Sequence, residues 1–293
     1  MKNYSMLLVL LSVLLSLSPA SAAEKTEVLV SIPPQTYFVE RIGAELVEVT
    51  SLLPPGAFPH TFEPTAKQMK ALSQADLYVR IQVEFEQAWW DKIAAANSTM
   101  YVIDSTQGVD LLEGAHHHHE EGAADTHDHE QHGRDPHVWL SPSAVKLQAE
   151  AIYQGLIHVD PDHQDIYLAN KERFFTDLEN LDQEIREILA DLKNRTFMVF
   201  HPSWAYFARD YQLQQLSIEL EGKEPSAAEM AQIMKAAQAE NIRVIFVQPQ
   251  TSQRSAEIIA SQIGAQVKVL DPLAADWLDN LRNVAKILAV SLQ

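Results

Sequence analysis

Short apolar runs alternate with stretches of helical periodicity along most of the chain. Residues 28–32 read as a buried strand, 38–46 as a helix and 47–53 as a second β-rich run. Helical patterning over 66–75 leads into an apolar run at 77–81, and another helix leads into 100–103. After residue 195 the alternation resumes, with strands predicted at 197–200, 216–218, 244–247 and 267–270 and helices at 227–239 and 255–263. Strands separated by helices predict parallel pairing. The expected fold class is therefore α/β: two (β/α) lobes, each with a four-stranded, mainly parallel sheet.

A different pattern separates the two halves. From 162 to 194 there is no Pro or Gly, and Phe174, Leu178, Leu181, Ile185, Ile188 and Leu192 recur at four- and three-residue steps, the stripe of an amphipathic helix. One helix of about 33 residues would be ~50 Å long, a rigid spine between lobes. The expected organisation is an N-terminal lobe at 23–160, a linking helix at 161–194 and a C-terminal lobe at 195–293.

The first 22 residues stand apart: a short polar start with Lys2, an apolar run over 6–17, then a small-residue segment ending at Ala22. That is the layout of a signal peptide, and the run is too short to span a bilayer as a retained helix. With no Cys in the chain, acyl anchoring through a thiol and disulfide frameworks are both excluded, and any metal must be held by nitrogen and oxygen. A soluble periplasmic protein is expected. The net charge of −18 with no basic cluster excludes nucleic acid as a partner and suits a cation.

Four ligand-type residues fall in loops just past predicted strand ends, where α/β sheets place their ligands. His60 lies in a loop stiffened by Pro54, Pro55, Pro59 and Pro64, with Gly56 allowing a tight turn. His137 lies between Pro136 and Val138 where the first lobe ends, His201 directly follows the strand ending at Phe200, and Asp271 directly follows the one ending at Leu270. Singly, a His at a strand end reads as an ordinary hydrogen-bonded residue and Asp-Pro as a turn. Four together, in rigid Pro-flanked loops of an exported acidic protein, point to one shared metal.

Residues 113–135 are of low complexity, with His116, His117, His118, His119, His127, His129 and His132 set among acidic residues and Gly. No apolar residue larger than Ala occurs between 115 and 132, so this segment cannot contribute to a core. Its imidazoles suit a weak, multi-site metal reservoir.

The motifs GAFPHTFEP (56–64), DPHVWLSP (135–142), VFHPSW (199–204), EGKEPS (221–226) and DPLA (271–274) closely resemble the zinc-uptake solute-binding proteins of ABC transporters, the ZnuA/TroA-like, cluster A-I metal-binding family. The resemblance covers essentially the whole mature chain. It implies two lobes joined by a long rigid helix, metal in the cleft between them, and His60, His137, His201 and Asp271 at the metal positions. It implies Zn2+ as the transported ligand, since members with two His and two carboxylates tend to bind manganese and this chain has His at 201. Three imidazoles and one oxygen also suit Zn2+ better than Mn2+, although Cu2+ and Ni2+ bind such donors as well. Whether Asp271 or a water completes the site stays open. Glu63, Glu221 and Glu224, within these motifs, are candidates to hydrogen-bond a ligating His.

The expected function is capture of Zn2+ by a monomer and delivery to the membrane permease of an ABC importer, without catalysis. The alternative within the same transporter class is a binder of manganese or another divalent metal, and two other classes remain in view. A periplasmic zinc hydrolase would need an open metal position and a base, yet neither a His-Glu-x-x-His nor a Gly-x-Ser-x-Gly pattern is present. A metal-stabilised adhesin would use the ion for stability alone.

Overall fold

The computed structural model describes residues 25–114, 133–219, 225–251 and 253–293. The segment read as a signal peptide, His116–119, His127, His129, His132, Glu221 and Glu224 lie outside them.

The first lobe runs β1 (Thr26–Val30), α1 (Pro33–Gly43), β2 (Val47–Ser51), α2 (Ala66–Leu72), β3 (Leu77–Arg80), α3 (Glu84–Ala96) and β4 (Tyr101–Asp104). Two long helices follow, α4 (Pro142–Val159) and α5 (Gln164–Ile188). The second lobe comprises β5 (Thr196–Val199), α6 (Ala205–Asp210), β6 (Gln214–Ser217), α7 (Ala227–Ala239), β7 (Val244–Val247), α8 (Arg254–Ile263), β8 (Gln266–Val269) and α9 (Trp277–Ser291). The two four-stranded sheets have the orders β2-β1-β3-β4 and β6-β5-β7-β8, and every pairing is parallel. Each order reverses direction once, between β1 and β3 and between β5 and β7, and the gap at the carboxyl ends of such strands is where open α/β sheets bind ligands.

Predicted strands recur with end shifts of one or two residues, because all-buried runs such as Val244–Val247 leave little else to form. The spine is a correction. Helix α5 has 25 residues and a length of roughly 38 Å, and ends at Ile188 rather than Asn194. The guanidinium of Arg195 donates to the carbonyls of Leu189 (3.3 Å) and Ala190 (3.2 Å), satisfying groups that a longer helix would have paired internally. At its start, Pro161–His163 forms a single 3-10 turn.

Nor is α5 a free-standing rod. Its buried face (Tyr167, Phe174, Leu178, Leu181, Ile185) packs in one core with Phe38 and Ile42 of α1, Val145 and Ile152 of α4 and Trp277, Leu281 and Val284 of α9. That core continues into Phe197, Val199 and Phe207 of the second lobe, while a smaller one lies around Met198, Ile245 and Ile259. Among the described residues no helix is long and apolar enough to cross a membrane.

Candidate metal centre

After β2 the chain turns at Pro54–Ala57, where the amide of Ala57 donates to the carbonyl of Pro54 (3.1 Å) and Gly56 takes φ 81. Positive φ at the third turn position is what Gly supplies without strain. The turn leads to a 3-10 segment, Pro59–Thr61, that carries His60. His137 immediately precedes another 3-10 segment, Val138–Leu140, and Asp135 fixes it twice: one carboxylate oxygen accepts from the backbone amide (2.9 Å) and from Nδ1 (2.7 Å).

His201 owes its place to the second sheet. Val199 of β5 stands in register with Ser217 of β6, so two residues onward His201 comes level with Glu219, which accepts from its Nδ1 at 2.8 Å. Across the reversal point, Val199 pairs with Phe246 of β7, which brings Gln248 to the same height on the other side.

The Nε2 atoms of His60 and His201 are 3.4 Å apart, as are those of His201 and His137. Each ring has a carboxylate behind it: Glu84 on Nδ1 of His60 (3.3 Å), Asp135 on that of His137 and Glu219 on that of His201. A carboxylate only accepts, so the hydrogen-bonded Nδ1 atoms of His137 and His201 carry the proton and their Nε2 atoms turn bare lone pairs toward each other. Two lone pairs cannot satisfy each other across 3.4 Å; a cation between them can. Tetrahedral zinc with bonds of about 2.0–2.1 Å has N···N edges of about 3.3–3.4 Å. Two edges have that length, although among the described residues no group of three or more His, Asp or Glu already stands in finished ion-holding geometry.

His137 and His201 are buried, and His60 is about one quarter exposed. Burial pushes the His60 imidazole below its usual pKa, partly opposed by Glu84. The pocket between the rings offers about 10 Å³ to a water-sized sphere, room for one small body. Phe58, lying 4.6 Å from the His60 ring and 5.5 Å from that of His201, closes one side, and Trp139 packs against His137 at 5.1 Å.

Asp271 does not join the imidazoles. Its Oδ1 accepts from Gln250 (2.8 Å) and from the amide of Leu273 (2.9 Å), and it is Pro272 and Leu273 that line the pocket. Glu63 is exposed, and the carboxylate facing His60 is Glu84 at the start of α3. Sequence reasoning passed over Glu84, Asp135, Glu219 and Gln248. Asp135 alone had a local signal, an Asp two residues before a His across a Pro.

The model of the family "ZnuA: Zinc-uptake complex component A periplasmic" matches residues 28–290. The chain belongs to this family. It is 31% identical over 263 residues to the high-affinity zinc uptake system protein ZnuA of Bacillus subtilis, covering 87% of this chain and 81% of that one. A crystal structure of ZnuA superposes with a TM-score of 0.84 at 47% identity, over 92% of this chain and 100% of the other. A ZnuA deletion mutant with zinc bound gives 0.83 at 47% identity, over 92% and 99%. The family comprises binding components of metal uptake systems rather than enzymes, which removes the hydrolase reading.

Proposed function

We propose that the chain captures Zn2+ between its lobes through His60, His137 and His201 and delivers it to the permease of an ABC importer in the periplasm. The carrying observation is the set of three imidazoles, each with a carboxylate behind Nδ1 and Nε2 facing the pocket. Such a partner fixes the tautomer and raises the basicity of a ligating His. Three nitrogen donors favour Zn2+ over Mn2+, which prefers more oxygen. The zinc named for the matched relatives supports the same reading.

Asp271 supplies negative charge beside the centre, with its Oδ1 engaged by Gln250 and by the amide of Leu273. The test is competition against a chelator of known affinity, with Zn2+ and Mn2+ compared. The wild-type chain should bind one Zn2+ tightly and prefer it to Mn2+, and His201→Ala should lose the tight phase. Equal binding by the variant would sink the assignment. Impaired growth in zinc-chelated medium after loss of the chain would support delivery to an importer.

A further inference from the structure

Gln248, the first residue after β7, is 5% exposed and lines the pocket with the three imidazoles, yet its buried amide nitrogen has no hydrogen-bond partner. A buried amide donor without a partner carries the desolvation cost of a hydrogen bond never made. It therefore marks a place where a missing group belongs. The same loop carries two more unpartnered buried atoms, Oε1 of Gln250 and Oγ1 of Thr251, and the amide of Gln250 is spent on Asp271.

We propose that Gln248 is a positioning residue for the fourth ligand of the captured ion, a solvent molecule hydrogen-bonded to its side-chain amide, while Gln250 holds Asp271 back. The assignment rests on the three-imidazole reading of the centre. Three nitrogens leave one position of a tetrahedral ion open. The strand register sets Gln248 level with His201 at the sheet's reversal point, and its side chain lines the same pocket as the imidazoles. A neutral amide suits transient capture, because it orients the solvent ligand without adding a charge that would have to be pulled off at release.

The experiment uses the full mature chain and compares wild type with Gln248→Met, of similar length but without donor or acceptor. Affinity for Zn2+ is read by chelator competition, and the ligand field by the visible absorption of the Co2+-loaded protein with and without thiocyanate, which replaces solvent on the metal. Wild type should show a thiocyanate-dependent spectrum. Gln248→Met should bind Zn2+ about ten-fold more weakly and give an altered Co2+ spectrum, with the metal-free melting temperature unchanged or raised. A variant matching wild type in affinity and spectrum overturns the assignment, as does a wild-type spectrum indifferent to thiocyanate with a carboxylate in the fourth position. Those outcomes leave the three imidazoles standing; failure of wild type to bind either metal would remove the centre itself.

Discussion

An imidazole can hold a divalent ion only through an unprotonated nitrogen, so in the proposed centre the carboxylates behind His60, His137 and His201 bear on its strength together with the rings. Glu219→Gln keeps the shape but lets an amide meet Nδ1, which loosens the tautomer; zinc affinity should fall by about 10–100-fold in chelator competition. Acid should act in the same direction. Because burial holds the folded His60 below its ordinary value, the unfolded chain takes up this proton first as pH falls through about 6.5. The metal-free protein therefore loses stability from His60 below that pH and none above it. Protons also compete with zinc for Nε2 in the same range. Thermal unfolding of the metal-free chain should give a lower midpoint at pH 5.5 than at 7.5, and zinc affinity should drop over the same interval. The three His were legible from their Pro-flanked loops. Their carboxylate partners were not: with 40 Asp and Glu in the chain, only strand register and helix placement decide which stand behind a ring.

At the level of elements, α5 is held against α1 by aromatic packing. Phe174 is fully buried with ring centroids 6.1 Å from Phe38 and 6.0 Å from Tyr37. Phe174→Ala should cost about 3–5 kcal/mol, measured by denaturant unfolding. The stripe predicted this helix, yet its end depended on Arg195, whose reach to the final carbonyls is a tertiary fact. The feet of the His-rich segment are also tied together. Gly114 donates its amide to the carbonyl of Gly133 at 3.1 Å, Glu113 and Arg134 form an antiparallel bridge, and the Tyr206 hydroxyl joins the amide of Leu112 (3.0 Å) to the carbonyl of Asp135 (2.7 Å). Excising 116–132 should therefore leave one tight zinc site in calorimetry; loss of the high-affinity phase would show that the segment supplies part of it.

Across the whole molecule, two tryptophans link the ends of the lobes. The indole N–H of Trp139 donates to the carbonyl of Pro272 and that of Trp277 to the carbonyl of Trp139, each at 2.7 Å. Ser141 and Ser143 both reach the carboxylate of Asp210 in the second lobe. Trp277→Phe removes one indole donor and leaves a buried carbonyl unpaired, so the protein should lose about 1–3 kcal/mol of stability by thermal unfolding. Zinc affinity should fall with it, since Trp139 packs on His137 and Pro272 lines the pocket.

Apolar runs, a 3.6-residue stripe and Pro-stiffened loops are local quantities, so the sequence by itself determined the α/β alternation, the two parallel sheets and three imidazoles at strand or loop ends. Distances between residues far apart in the chain are set by register, capping and packing. Only the tertiary structure decided that α5 stops at Ile188, that one core runs through both lobes, that Glu84, Asp135 and Glu219 back the rings, and that Gln248 rather than Asp271 faces the pocket. A carboxylate or amide has no sequence signature for the partner it meets, because that partner is chosen by two strands lying side by side.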